Sequence, residues 1–402
     1  MRIYRKEIKD NSLGIYVHIP FCQKKCPYCD FNSFAQTNIS HDAYIDAALS
    51  EMAGHIQERP TILNKKLETI YIGGGTPSLI EPCSMKRLIT SIRQTFSASN
   101  LQEITIEVNP GTVHRDSLSA FHDAGINRLS IGIQSFNDKT LKTLGRIHSA
   151  QDALWCYEWA RKAGFNNIGI DLIFGIPGQS VEEWEQDLKT AVFLKPEHIA
   201  AYNLTIEDGT LFSKMQKGGK LVLPSEEEQV LMYELAIDKL EEAGYNHYEI
   251  SNFALDGFES QHNMRYWLCR DYIGLGAGAH SYISSPGRDS QGQAPDWSIR
   301  WWNENNPNVY MEQVKNRGRA IAGEELLTRK EAIEEGIFLG LRRISGIDID
   351  WFERRFDCSL KDLYRDTISK LTREGMLDPD DDNIRLTRKG LLLSNEVLAE
   401  LI

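Results

Sequence analysis

Three cysteines fall within eight residues of one another, in Phe21-Cys22-Gln23-Lys24-Lys25-Cys26-Pro27-Tyr28-Cys29-Asp30-Phe31. This C-x3-C-x2-C spacing puts three thiolate donors on one short loop, a set suited to soft metals and iron–sulfur clusters. Three thiolates can hold three irons of a [4Fe–4S] cube and leave the fourth iron open. An open iron can take up a small molecule through an amine and a carboxylate. Lys24 and Lys25 stand between the ligands and offset the anionic charge of a thiolate-bound cluster. The alternative is a structural zinc ion with His18 as fourth ligand. Structural zinc usually takes four protein ligands in two pairs. No second cysteine pair lies nearby, and His18 sits inside a predicted strand, four residues before Cys22. Cys83, Cys156, Cys269 and Cys358 are scattered, and each reads as a small buried apolar residue.

Positioning such a loop requires a rigid frame, and the chain shows one. Short β-type runs end in Gly, Pro, Asn or a polar residue and are followed by helical stretches. The runs are Ile15-Tyr16-Val17-His18, Thr69 to Ile72 ahead of Gly73-Gly74-Gly75-Thr76-Pro77, and Glu103 to Val108 ahead of Asn109-Pro110. Arg128 to Ile133 ahead of Gln134, Ile168 to Phe174 ahead of Gly175, and His198 to Leu204 complete the set. Between them, apolar residues at 3.6-type spacing predict helices over 42–56, 85–96, 117–123, 150–163, 181–193 and 226–243. Six β-then-α units imply parallel strands with right-handed crossovers, an α/β fold of partial-barrel type. In such folds polar residues at the C-terminal strand ends face the site. His18, Gly73 to Thr76, Glu107, Gln134, Asp171 and Tyr202 are therefore expected on one rim.

The alternation stops after Gly244. Residues 245–325 read as irregular and aromatic, and include His262-Asn263-Met264-Arg265-Tyr266-Trp267, Gly274 to His280 and Arg300-Trp301-Trp302-Asn303. From 326 onward the pattern is helical again, over 329–341, 350–356 and 360–373. A hairpin at 377–386 and a last helix at 387–401 follow. Three helices and a hairpin predict a winged-helix-like C-terminal domain. The organisation is thus a barrel over 1–244, a barrel-extending segment over 245–325, and a small domain over 326–402. A winged module either packs or binds DNA.

The chain has 402 residues and a net charge of −12. A field of that sign repels nucleic acid and favours the packing role. Hydrophobic residues make up 41%, as in globular proteins rather than disordered ones. No apolar run is long enough to span a membrane, and Met1 to Asn11 lacks the apolar core of an export signal. Seven cysteines, an odd number, argue against a disulfide framework. The expected location is the cytoplasm. Homodimerisation and peripheral membrane contact are left open.

The cysteine loop within a β/α frame resembles the radical S-adenosylmethionine (radical SAM) superfamily. Tyr16 to Cys22, Cys26-Pro27-Tyr28-Cys29-Asp30-Phe31, Gly73 to Pro77, Ile106 to Pro110, Gly132 to Phe136 and Asp171 to Pro177 resemble its oxygen-independent coproporphyrinogen III oxidase group. The resemblance runs over nearly the whole chain. It implies that Cys22, Cys26 and Cys29 ligate a [4Fe–4S] cluster whose open iron chelates S-adenosylmethionine (SAM). One electron then splits the sulfonium to a 5′-deoxyadenosyl radical, chemistry that belongs to the cofactor.

The resemblance assigns SAM contacts to Tyr16, Tyr28, Gly74, Gly75, Thr76, Glu107, Gln134, Arg146 and Asp171. The residues have plainer readings beside it. The glycine run is a tight strand-to-helix turn, Arg146 a surface helix-end residue, and Tyr16 a half-buried strand aromatic. Buried carboxylates at Glu107 and Asp171 do require partners, and ribose hydroxyls and an amine suit them.

Two departures divide the group. Its oxidase members carry a further cysteine two residues after the third, where this chain has Phe31, and a longer segment before the first cysteine. Both point to the HemW-type heme chaperone branch, as do Tyr248 to Ala254 and the HNxxYW pattern from His262 to Trp267. That branch implies heme binding, with His262 taking part, delivery to client proteins such as respiratory hemoproteins, and an electron donor for the cluster. Alone, His262 reads first as a hydrogen-bonded structural residue, although an imidazole is a competent iron ligand; it is the resemblance that brings the heme reading level. The competing functions are SAM-dependent decarboxylation of coproporphyrinogen III propionates and radical chemistry on another substrate. Phe31 favours the chaperone.

Overall fold

The computed structural model describes residues 11–35, 37–284 and 297–402. Of the stretch read for an export signal, all but Asn11 lies outside the described residues. Six parallel strands, β1 (Ser12–Ile19), β2 (Lys66–Gly74), β3 (Glu103–Val108), β4 (Arg128–Gln134), β5 (Ile168–Phe174) and β6 (His198–Asn203), lie side by side in chain order. Each alternates with period two. Ile15, Val17, Ile70, Ile72, Ile104, Ile106, Leu129 and Ile131 enter the apolar core, while the intervening residues line the concave face. That face is polar and aromatic: Tyr16, Tyr71, Glu107, Ser130 and Asp171 meet there.

The outer helices are α1 (His41–Glu58), α2 (Pro82–Thr95), α3 (Arg115–Asp123), α4 (Ala150–Lys162), α5 (Val181–Leu194) and α6 (Glu226–Glu242). Their starts are set locally. Ser149 with Asp152, Ser180 with Glu183 and Ser225 with Glu228 form reciprocal capping boxes at α4, α5 and α6.

The segment after Gly244 is more regular than its composition suggests. β7 (Asn246–Glu249) and β8 (Asn252–Ala254) extend the sheet beyond β6. The helix α7 (Gln261–Trp267) then crosses under the barrel. β9 (Tyr272–Leu275) pairs parallel to β1 at the opposite edge. β10 (His280–Ser284), β11 (Ser298–Asn303) and β12 (Ile321–Leu327) continue antiparallel from there, completing a 12-stranded sheet. Irregularity was expected because Gly, Asn and aromatic residues break clean alternation. The pairing of β9 to β1, which depends on a long-range contact, restores it.

The C-terminal unit has its own core around Ile337, Phe352, Phe356 and Leu371. Its strand Ile347–Asp348 adds to the hairpin Leu377–Pro379 and Asn383–Leu386, giving a three-stranded sheet among helices, the winged arrangement expected. The helix expected over 360–373 is two, Leu360–Leu363 and Arg365–Arg373, and the last also divides, at Leu393. Arg388 ion-pairs with Asp238 on α6 and ties the unit to the barrel.

Candidate cluster and cofactor site

The cysteine loop sits at the C-terminal end of β1 and closes on itself. Phe21–Cys22 pairs parallel with Phe34–Ala35. The Cys29 amide donates to the Cys26 carbonyl at 3.2 Å. Lys25 donates to the carbonyls of Phe31 and Ser33 at 3.0 and 3.3 Å. Lys25 therefore clamps the loop, besides adding charge. Phe21 anchors it from below, stacked on His41 at 4.7 Å and edge-on to Tyr44 at 5.0 Å.

All three thiols are free and partly exposed. The Thr76 hydroxyl donates to Cys22 Sγ at 3.4 Å, Arg146 Nη1 to Cys26 Sγ at 3.7 Å, and Ser33 lies 3.9 Å from Cys29 Sγ. Burial pushes the Cys22 and Cys29 thiols up, so their ionisation calls for a cation. Donors aimed at sulfur suit a bound anionic cluster, whose potential such hydrogen bonds tune.

The zinc alternative fails at its fourth ligand. His18 Nε2 faces the Asn32 carbonyl at 2.8 Å, and Nδ1 faces the Tyr16 hydroxyl at 2.9 Å. A carbonyl only accepts, so Nε2 carries the proton and Nδ1 accepts from Tyr16. Both nitrogens are used.

The glycine run does what its composition promises. Gly75 donates its amide to the Ile19 carbonyl at 2.8 Å, and a Cβ there would sit 3.0 Å from Cys22 Sγ. Gly74, at φ 119°, turns its amide onto Glu107 Oε2 at 2.9 Å. The Tyr71 hydroxyl donates to the other oxygen at 2.9 Å. Burial raises the Glu107 carboxyl to about 7 against those two donors. Asp171, also raised by burial, is held by the Ser130 hydroxyl, 3.0 and 3.1 Å from its two oxygens.

Gln134 ends β4 at an irregularity in its pairing with β5 and holds φ 71°, which turns its side chain over Gly132. Arg146 is no surface residue. Nη2 donates to the Gly132 carbonyl at 2.8 Å, while Nε is buried without a partner. An orphan guanidinium N–H beside the cysteines calls for an anionic ligand. Tyr28 packs against Phe212 at 6.3 Å.

The structure thus brings together the cysteines, Thr76, Arg146, Gly74 and Glu107, with Tyr16, Tyr28, Gln134 and Asp171 on the same rim or just below it. A cavity of about 560 Å³ opens beside the cysteine loop, its wall including Tyr16, Glu107, Phe31, Tyr266 and His280. Phe31 is 63% exposed there.

His262 is elsewhere. It is 0% exposed inside the barrel, below the rim, with its ring 6.4 Å from that of Tyr16 and 5.3 Å from that of Tyr71. Its Nδ1 lies 2.8 Å from the Thr69 hydroxyl and its Nε2 3.0 Å from the Tyr266 hydroxyl. In this arrangement neither nitrogen is presented to a ligand.

Three residues went unmarked in the sequence. Tyr71 stands two positions before Gly73 on β2, so period-two alternation could have found it. Ser130 stands in the same relation to Gly132. Asn32 ties the cysteine loop to the chain beyond β9, donating to the Ala277 and Asn305 carbonyls at 3.0 and 2.9 Å. No local signal marks that contact.

Comparison with known proteins agrees with this geometry. Residues 16–191 match the model of the radical SAM superfamily, and 327–393 match that of the HemN C-terminal domain. A relative named heme chaperone HemW from Lactococcus lactis is 40% identical, over 96% of each chain. One of the same name from Bacillus subtilis is 37% identical, over 95% of this chain and 97% of its own. The solved structure of coproporphyrinogen III oxidase (HemN) from Escherichia coli, a radical SAM enzyme, superimposes with a TM-score of 0.80 at 26% identity. It covers 98% of this chain and 91% of its own.

Proposed function

We propose, for a chain that belongs to the HemW family of the radical SAM superfamily, that it binds heme and hands it to client hemoproteins in the cytoplasm. In this reading Cys22, Cys26 and Cys29 hold a [4Fe–4S] cluster. Tyr16, Tyr28, Gly74, Gly75, Thr76, Glu107, Gln134, Arg146 and Asp171 surround SAM. Cluster and SAM together supply one-electron chemistry, for which an electron donor is required.

The chain's own residues do the positioning. Gly75 lets the backbone pass against Cys22 with no Cβ in the way. Arg146 has an unused N–H for the SAM carboxylate. Glu107 and Asp171 offer acceptors to an amine and to ribose hydroxyls. His262, locked between Thr69 and Tyr266, supports the cavity floor from below. No helix among the described residues is long and apolar enough to cross a membrane.

The observation that carries the heme reading is Phe31. The cysteine loop turns an exposed aromatic face to the cavity at the position where oxidase-type members of the group carry a thiol. An exposed aromatic face at the mouth of the cavity suits a flat porphyrin. The test is a hemin titration of anaerobically reconstituted protein holding about four irons per chain, followed by transfer to an apo-hemoprotein. A saturable Soret band and transfer are expected. Conversion of coproporphyrinogen III to protoporphyrinogen IX by the reduced protein with SAM would overturn the chaperone reading in favour of the oxidase.

A further inference from the structure

We infer that His280, on the rim of the cysteine-side cavity, is the protein ligand to the iron of bound heme. The inference rests on the heme-binding reading above and adds to it the site and the donor atom.

An iron-ligating imidazole needs an accessible nitrogen, a fixed ring and a lone pair. Few of the ten histidines meet the first need at this cavity. His18 and His262 have both nitrogens engaged. His148 is held by Asn109 and the Ile133 carbonyl at 3.3 and 3.0 Å, and His198 by Tyr248 at 2.8 Å. His280 lines the cavity, is exposed, and has no hydrogen-bond partner among the described residues.

The ring is nevertheless fixed. His280 pairs across the strands with Trp302, and the two rings stack at 6.0 Å and 25°. Trp302 can lie flat because Gly323 is beneath it; a Cβ at Gly323 would fall 2.3 Å from the indole. Partial burial and the nearby Arg300 lower the basicity of His280, which keeps its lone pair available at neutral pH.

The surroundings suit a porphyrin rather than a lone metal ion. Phe31, Tyr266 and Tyr272 give the cavity aromatic surface, and Tyr16, Gly74 and Glu107, assigned above to SAM, line it too. Away from the cysteine loop, no group of three or more His, Cys, Asp or Glu among the described residues could hold a lone metal ion. His280 also communicates with the cluster loop. Asn32, three residues after Cys29, bonds the Ala277 carbonyl in the turn that leads into β10. The iron ligand and the cluster loop therefore share one tether.

The experiment compares reconstituted full-length wild type, His280→Ala and His262→Gln by hemin titration, Soret spectrum and ferric electron paramagnetic resonance. Cluster absorbance and thermal melting serve as controls. For His280→Ala we expect hemin binding weakened about tenfold or more. The iron signature should shift to that of a lost axial nitrogen and return on adding free imidazole, with cluster and melting unchanged. His262→Gln should keep the axial-nitrogen signature of the iron, whatever it does to affinity through its Tyr266 contact. Unchanged affinity and spectrum in His280→Ala would overturn the assignment while leaving heme binding intact. Absence of saturable hemin binding by wild type would instead remove the heme-binding reading, and this inference with it.

Discussion

The two ends of the barrel are built on opposite terms. At the N-terminal end, buried polar groups are cross-linked. The Glu103 carboxylate accepts the Gln261 and His262 amides at 3.0 and 3.1 Å, capping α7 with negative charge. Arg265, almost wholly buried, donates to Glu68 and to the Ser12 hydroxyl, both at 2.9 Å, and to the Asp271 carbonyl. Lys65 ion-pairs with Asp271. At the C-terminal end the sulfurs have only long contacts, Arg146 Nε has none, and Phe31 stands in solvent. One end consumes its polar capacity in holding the chain together. The other keeps that capacity for ligands, as barrel folds generally do. The position of His262 follows from this division: it belongs to the end that stabilises.

The sharpest way to break the comparison is at the closed end. Arg265→Ala strips one partner from a buried network and should cost about 3–5 kcal/mol of folding stability, read by denaturant unfolding of the apo-protein. A loss below about 1 kcal/mol would show that the closed end is not what holds the barrel.

Glu107 comes next, because the open end also stores a proton. Its folded carboxyl sits at about 7 against an ordinary 4.5, so between those values the folded chain holds a proton that the unfolded chain has released. The associated stability is complete below about 4.5 and lost as pH rises through about 7, an effect of up to about 3 kcal/mol. In the ligand-free protein, Glu107→Gln should therefore gain on wild type across that window. A difference between the two that does not vary with pH refutes the shift.

Arg146→Gln should be milder for the fold. With the cluster loaded, it should weaken SAM binding about tenfold, measured by calorimetry. Unchanged SAM affinity would mean that the orphan N–H serves something else.

The smallest effect on the apo fold is expected at the cysteines themselves. Cys26→Ser should leave ligand-free stability within about 0.5 kcal/mol of wild type while iron content after reconstitution collapses. A variant that retains iron would remove Cys26 from the ligand set.

Much of the open end was legible beforehand. Spacing alone marked Cys22, Cys26 and Cys29, and position toward the C-terminal ends of parallel strands placed His18, Glu107 and Asp171 on one rim. The helices over 150–163, 181–193 and 226–243 could be read from apolar residues at 3.6-type spacing; the caps Ser149, Ser180 and Ser225 fix their starts in the structure. What escaped was anything set by a distant return of the chain. His262 comes more than 150 residues after its partners Thr69 and Glu103. A motif conveys residue types and spacing, but not which end of a barrel it will close. His280 went unread for the same reason, since its strand exists only through β9 pairing with β1.

The amino-acid order by itself determined the thiol loop, the alternation of strand and helix and the polar rim, because each follows from near-neighbour periodicity and side-chain chemistry. Only the tertiary structure decided that His262 is sealed and His280 is free. Solvent access and hydrogen-bond saturation depend on which segments meet across the sheet, and those meetings are long-range.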